Sequence, residues 1–373
     1  MFKNMMFYRV TNPDHVATLN DWEGLGALLA ELPAREPTGS QWRALGFDLP
    51  APRLSDELVW SAPSGANLFT LYVHERQLTG ATIREHVAAR VEKIESREQR
   101  KCYRKELAQI RDEVEAELLP RAFIKHSVIN MLVIGNLLVV ESSSAKKAED
   151  ALDALRRAMD SLSVRPLTFK VEPSAWLTEI MRSNAYDNLK RLDAAKLVNS
   201  EKDVVTFKGV NLDDEEPQSY LNNAFRVAEL LVAFSWEGED QMYFKVSDQL
   251  IFKSIKFDDL VLGEIGKDSD GDPATTLDAS LAILVGTIQR LVGTLADQLG
   301  EDLPSKLAND VAAVIAPIKN GGSISINGVE VYRSPEISKE RLKGVIDGED
   351  GEDGDDDDDE FEQARRQTED DDL

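Results

Sequence analysis

The sequence predicts an α+β fold, in which helices are segregated from antiparallel sheets rather than alternating with parallel strands. Three patterns carry that expectation. Short apolar runs at 127–134 and 137–141 meet across Gly135-Asn136, a turn-sized gap. A second set, at 225–236, 242–246 and 250–257, is separated by Glu237-Gly238-Glu239-Asp240 and Ser247-Asp248, close enough for antiparallel hairpins. Away from these sets lie long helical patterns, densely charged over 82–119 and apolar over 277–299.

Taken in order, residues 2–10, rich in Met, Phe, Tyr and Val, predict a first strand. Asn12 can cap the next helix with Pro13 at its first position, where a missing N–H costs nothing. Val16, Leu19, Trp22, Leu25, Leu29 and Leu32 then recur at helical spacing, which implies one buried face. Residues 33–56 are proline-rich and read as loop, followed by short strands near 58–61 and 68–73. The charged stretch 82–119 predicts one long helix or a helical pair, stopped by Pro120. After the 127–141 hairpin, an amphipathic helix from about Ser144 to Leu162 buries Leu152, Leu155, Met159 and Leu162. This strand–strand–helix order echoes that of 57–119.

Pro173 opens a second half with a short helix through Arg182; the three-strand meander follows, then the apolar helix after Thr275. That helix carries Gln289 and Arg290 near its middle, and an arginine at a bilayer centre costs at least roughly 2.5 kcal/mol, so a buried helix is expected. Residues 301–346 read as an appendix: a helix from Pro304, then a hairpin around Asn327-Gly328. Beyond Ile346 the chain is acidic, glycine-rich and nearly free of apolar residues, the composition of disorder. The expected organisation is 1–170, 171–300, 301–346 and an acidic tail 347–373.

At 373 residues the chain can build two or three units. Its single cysteine, Cys102, allows no intrachain disulfide and no thiolate metal cage, which fits a reducing cytoplasm. The opening Met1-Phe2-Lys3-Asn4 is too polar, and too soon followed by Arg9, for a signal peptide. The net charge of −25 argues at first against nucleic acid, but its distribution matters more. Residues 347–373 hold 16 acidic side chains against Arg365 and Arg366, a net of −14. The other 346 residues carry only −11, and they can bind phosphate if their cations gather on one surface.

No nucleotide-binding, zinc-protease or serine-hydrolase motif is present, and no cofactor is expected. The four histidines, His15, His74, His86 and His126, stand at no ligand spacing and read as surface or polar-core residues. Asp268, Asp270 and Asp272 mimic a calcium loop, but Pro273 replaces its glycine and Ala279 its bidentate glutamate. A nuclease would need carboxylates converging on metal ions, and no compact motif places them together. The expectation is a binding protein rather than an enzyme.

Cations concentrate at Arg97, Arg100, Lys101, Arg104 and Lys105, opposed within that run only by Glu98. At i, i+3, i+4, i+7 and i+8 they would share one helical face, a stripe suited to a sugar-phosphate backbone without base-specific reading. The competing reading is a solvated helix laced by salt bridges to Glu95, Glu98 and Glu106. A second cluster, Lys146 and Lys147, opens a helix whose N–H groups also favour phosphate, although Asp150 and Asp153 dilute it.

These stretches are also where the chain resembles the RdgC family. Leu-Leu-Pro-Arg-Ala-Phe at 118–123 and Ser-Ser-Ala-Lys-Lys-Ala-Glu-Asp at 143–150 look like its best-marked motifs. In the same order stand Phe2-Lys3-Asn4 with Tyr8-Arg9, Gly39-Ser40-Gln41 with Gly46-Phe47, and Leu177-Thr178-Glu179 with Arg182-Ser183. The 253–257 strand and the 291–300 helix end complete a likeness spanning about residues 1–300. The resemblance implies horseshoe-shaped subunits paired into a ring-shaped homodimer that binds DNA nonspecifically through a positive central hole and restrains RecA-driven recombination. It adds weight to DNA roles for Arg121, Lys146 and Lys147, and makes Phe123 resemble a dimer-contact residue. Phe207, Gly209 and Val210 depart from a family pattern that is more polar and basic near Lys208, and residues 301–373 have no counterpart.

The implied setting is the cytoplasm and nucleoid of a bacterial cell, or of an infected host if the chain is phage-encoded. The family is sometimes labelled an exonuclease, so a metal-dependent DNA exonuclease stays open as an alternative. A second alternative is an acidic DNA mimic or chaperone-like protein for basic partners. The tail could compete with DNA for the chain's own cations, act as a solubility segment, or dock a basic partner through Phe361 and Leu373.

Overall fold

A computed structural model describes residues 1–184, 186, 188–236, 239–259, 261–263, 272–300, 325–326 and 329–330. In chain order these form β1 (Met6–Val10), α1 (Pro13–Asn20), α2 (Trp22–Leu29), β2 (Arg43–Asp48), β3 (Val59–Ser61), β4 (Ala66–Gln77), α3 (Gly80–Glu98) and α4 (Arg104–Leu118). Then come β5 (Phe123–Ile134), β6 (Leu137–Val140), α5 (Ala145–Ala158), β7 (Val164–Pro166), α6 (Pro173–Ser183), β8 (Leu189–Val198), β9 (Val204–Phe207) and α7 (Glu215–Asn222). The last are β10 (Arg226–Trp236), β11 (Glu239–Ser247), β12 (Phe252–Phe257), α8 (Pro273–Leu299), β13 (Ser325–Ile326) and β14 (Val329–Glu330). The fold is α+β with antiparallel sheets. The chain divides into two compact units: a larger one of Met1–Pro33, Phe47–Leu71 and the described residues from Val128 on, and a smaller one of Ala34–Gly46 and Tyr72–Ser127.

In the larger unit, local signals act where the sequence placed them. Asn12 Oδ1 accepts the Asp14 N–H at 2.9 Å and Pro13 opens α1. The single helical run expected from Val16 to Leu32 breaks at Asp21, yet Leu19, Leu25 and Leu29 all stay fully buried. The β5–β6 hairpin pairs Met131 with Val140 and Ile134 with Leu137. Its turn residue Gly135 sits at φ 59°, a value glycine adopts without a Cβ clash. A seven-stranded sheet runs β2-β4-β5-β6-β1-β7 with β3 on β4.

The second sheet runs β12-β11-β10-β8-β9, so the expected meander gains two strands. β8 carries no apolar alternation in the sequence, because Lys190, Arg191, Asp193 and Lys196 interrupt its apolar residues, though it lies between β9 and β10. The amino-terminal segment continues the ladder past β12. Met5 and Phe252 exchange backbone bonds at 2.8 and 3.0 Å, and the Ile255 N–H reaches the Lys3 carbonyl at 2.8 Å.

α8 is long and apolar enough by length and composition to cross a membrane, but its buried face joins the core of this unit. Leu281, Leu284, Ile288, Leu291 and Leu295 share that core with Trp176, Leu177 and Ile180 of α6 and with Phe234, Phe244 and Phe257 of the sheet. A polar relay locks the helix in place. Trp176 Nε1 donates to Gln298 Oε1 (3.0 Å), Gln298 Nε2 to Asn188 Oδ1 (2.9 Å), and Asn188 Nδ2 to Thr294 Oγ1 (2.9 Å). Asp272, the last carboxylate of the calcium-like run, caps α8 by accepting from the Thr275 N–H and hydroxyl at 3.0 and 2.7 Å.

β13 and β14 pair antiparallel, Ser325 with Glu330 and Ile326 with Val329. The expected helix from Pro304, the tail 347–373, and Asp268 and Asp270 lie outside the described residues.

The smaller unit is an α3–α4 helical pair with a core of Ile83, Ile110 and Val114, flanked by Val87, Val91, Ile94 and Leu118. Its most buried cation is Arg76, 8% exposed on β4. The guanidinium donates to the carbonyls of Gln41 (3.2 Å), Leu119 (2.9 Å) and Pro37 (2.7 Å), tying the 37–41 turn and the end of α4 to the strand. Paired in this way a buried charge is tolerated.

Candidate nucleic-acid interface

Charge is unevenly divided between the units. The described segments of the smaller one, 34–46 and 72–127, hold 14 Lys and Arg against 11 Asp and Glu, a net of +3 in a chain of −25. Over 1–33, 47–71 and 128–300 the balance is 21 against 35. Positive surface is therefore concentrated in the helical pair and its adjoining strand segments.

Within that unit the five cations of the 97–105 run do not share a helical face. α3 ends at Glu98, Gln99 takes the left-handed φ of 54°, and α4 begins only at Arg104. The acidic neighbours build this corner. Glu95 accepts from the Cys102 N–H (3.0 Å) and from Lys101 Nζ (2.9 Å). Arg100 forks onto both oxygens of Glu106 at 2.7 and 2.8 Å, reaches Glu98 at 2.7 Å, and lies 5.4 Å over the Tyr103 ring.

Arg97 pairs with Glu98 at 2.9 Å. The electrostatics follow the geometry. The Arg100 hydrogen bonds hold Glu106 down at about 2. Glu98 lies below the usual carboxylate range, chiefly through its bond to Arg97, and Glu95 through the Cys102 N–H. Arg100 is thus a corner-forming residue, and phosphate would have to displace carboxylates to reach it.

Other cations stand clear. Lys105 on α4, Arg84 and Lys93 on α3, Arg121 in the turn before β5, and Lys125 on β5 are exposed and make no ion pair among the described residues. In the sequence Arg84 and Lys93 each stand alone among acidic or apolar neighbours, and Lys125 follows Arg121 by four residues. Phe123 opens β5 with 88% of its surface exposed, the most open of the large apolar side chains described.

Lys146 and Lys147 belong to the larger unit, exposed on the first turn of α5. Ser144 caps that turn by accepting the Lys147 N–H at 3.4 Å, and Arg156 pairs with Asp153 further along. Near Lys208, Phe207 is buried as the end of β9.

The four histidines stand at no ligand spacing along the sequence and lie at or near the surface, yet two of them meet in space. His74 on β4 and His126 on β5, 52 positions apart in sequence, bring their Nδ1 atoms to 2.5 Å. No spacing along the chain could reveal a cross-strand pair of this kind. Among the described residues, no group of three or more His, Cys, Asp or Glu is placed to hold a metal ion.

A family model described as "Putative exonuclease, RdgC" matches residues 1–302. Proteins named "Recombination-associated protein RdgC" are similar over 309 residues, 81% of this chain and 98% of theirs. They include those of Pseudomonas aeruginosa strain LESB58, at 34% identity, and of Pseudomonas syringae pv. tomato and Pseudomonas putida strain GB-1, each at 33%. On a family match over more than three-quarters of its length, and on relatives covered almost end to end, the chain belongs to the RdgC family.

Proposed function

We propose that this chain is a sequence-nonspecific DNA-binding protein that encircles DNA as a ring-shaped homodimer of horseshoe-like subunits and restrains RecA-dependent recombination at the nucleoid. One observation carries the reading: a strongly anionic chain gathers a net positive charge, with exposed unpaired cations, in the described segments of one compact unit, 34–46 and 72–127. Contacts from such cations to phosphates carry no sequence information. The names of the Pseudomonas relatives support the link to recombination. Phe123 supports self-association, since a large exposed apolar ring favours being covered.

Occupying duplex in this way would hinder filament growth or strand exchange. With six to ten phosphate contacts, affinity would fall about 10³- to 10⁵-fold between 50 and 200 mM salt. The test of encirclement is topological. A ring loaded on closed circular DNA is retained at raised salt and slides off once the circle is cut; equal retention on cut and closed DNA would oppose it.

The family description favours a second reading, exonuclease activity. End-labelled DNA incubated with the protein and Mg²⁺ or Mn²⁺ distinguishes them, because only a nuclease shortens the strand. An acidic DNA mimic would leave DNA unshifted at low salt.

A further inference from the structure

We propose that His74 and His126 form a two-histidine binding site for a borderline transition-metal cation of the Zn²⁺ or Cu²⁺ class. Their rings meet nearly edge to face, with centroids 4.7 Å apart and planes at 81°, and both Nδ1 atoms point at one another across 2.5 Å. Two nitrogen lone pairs at that distance repel unless something positive lies between them. In the metal-free pair this is a single proton, donated by one Nδ1 and accepted by the other. Imidazole nitrogen is the ligand that suits zinc and copper, and hard ions such as Mg²⁺ and Ca²⁺ prefer oxygen.

A cation can take the proton's place with little movement. Zn–N bonds of about 2.0–2.1 Å in tetrahedral geometry put the two nitrogens about 3.3 Å apart, so the pair opens by about 0.8 Å. His74 is held by stacking on Tyr72, with centroids 6.4 Å apart and planes at 21°; His126 is exposed and free to make that movement. The donor ring shifts its proton from Nδ1 to Nε2, so two neutral rings bind the metal without net proton loss. Water fills the other coordination positions, which makes the site open and exchangeable rather than a closed structural one.

The test uses the full chain without an affinity tag, stripped by chelator and titrated with CuCl₂ or ZnCl₂ in excess Mg²⁺, which occupies the many carboxylates. Copper should show electron-paramagnetic coupling to two imidazole nitrogens, and calorimetry should give one zinc site per chain. His74→Asn and His126→Asn should each weaken zinc at least tenfold and remove the two-nitrogen signal, with unchanged far-UV circular dichroism. His86→Asn should bind as the wild type does. Absence of nitrogen coupling in the wild type, or wild-type zinc affinity in His126→Asn (an exposed position that folding tolerates), would overturn the site.

Discussion

Replacing Phe123 with alanine should separate folding from self-association. The side chain is 88% exposed in the single chain, so its loss removes almost no buried area, and folding stability should change by less than about 1 kcal/mol. In a ring the same side chain would be covered. A phenylalanine buries roughly 150–250 Å², and nearly nine-tenths of that is still available here, worth about 3–5 kcal/mol at 25 cal/mol per Å². Area overstates association energy because ordering and imperfect fit oppose it, so about 1–2 kcal/mol per side chain, or about 2–4 kcal/mol for the two copies in a dimer, is the working figure. The dimer dissociation constant should therefore weaken about 30- to 1000-fold. Sedimentation velocity over a wide concentration range reads the association, and thermal unfolding of the same samples reads the fold. A variant that pairs as tightly as the wild type refutes the reasoning, as does a wild type that stays monomeric throughout.

Three further outcomes follow from particular contacts. Arg76→Lys should cost about 2–4 kcal/mol in chemical unfolding, because one ammonium cannot serve the three carbonyls that the guanidinium bridges; wild-type stability would show the tie to be dispensable. Glu106 is held at about 2 when folded against an ordinary value of 4.5, so its contribution is complete above about pH 4.5 and is lost as pH falls toward 2. Helicity followed by circular dichroism should fall over that window, and Glu106→Gln should flatten the fall; an identical acid profile in the variant would count against the corner. Deleting residues 347–373 removes a charge of −14, equal to about seven base pairs of duplex, and should tighten DNA binding at low salt but not at high salt. Unchanged low-salt affinity would discard competition by the tail.

What was legible in the sequence was local. Asn12 with Pro13, the β5–β6 hairpin around Gly135, the inward face of α5 and the strands of the meander all announce themselves within a few residues, and each forms. β2 was hidden by a proline-rich setting and β8 by its charged side chains; both owe their strand conformation to neighbours distant in sequence.

The cationic run illustrates a different limit. Spacing alone put residues 97–105 on one helix, but a left-handed Gln99 and three glutamates fold them into a corner. The exposed cations Lys93 and Lys125, and the pairing of His74 with His126, became visible only once helices and strands were set side by side.

The most direct test compares the salt dependence of binding to two unrelated duplexes of equal length, for the wild type and for Lys93, Lys105, Arg121 and Lys125 together changed to Glu. The wild type should bind both duplexes alike, with log affinity falling linearly in log salt. The variant should lose affinity for both equally, with a slope shallower by about 0.9 for each phosphate contact removed. Wild-type affinity in the variant, or a clear preference for one duplex, would contradict a nonspecific cationic interface in the helical unit.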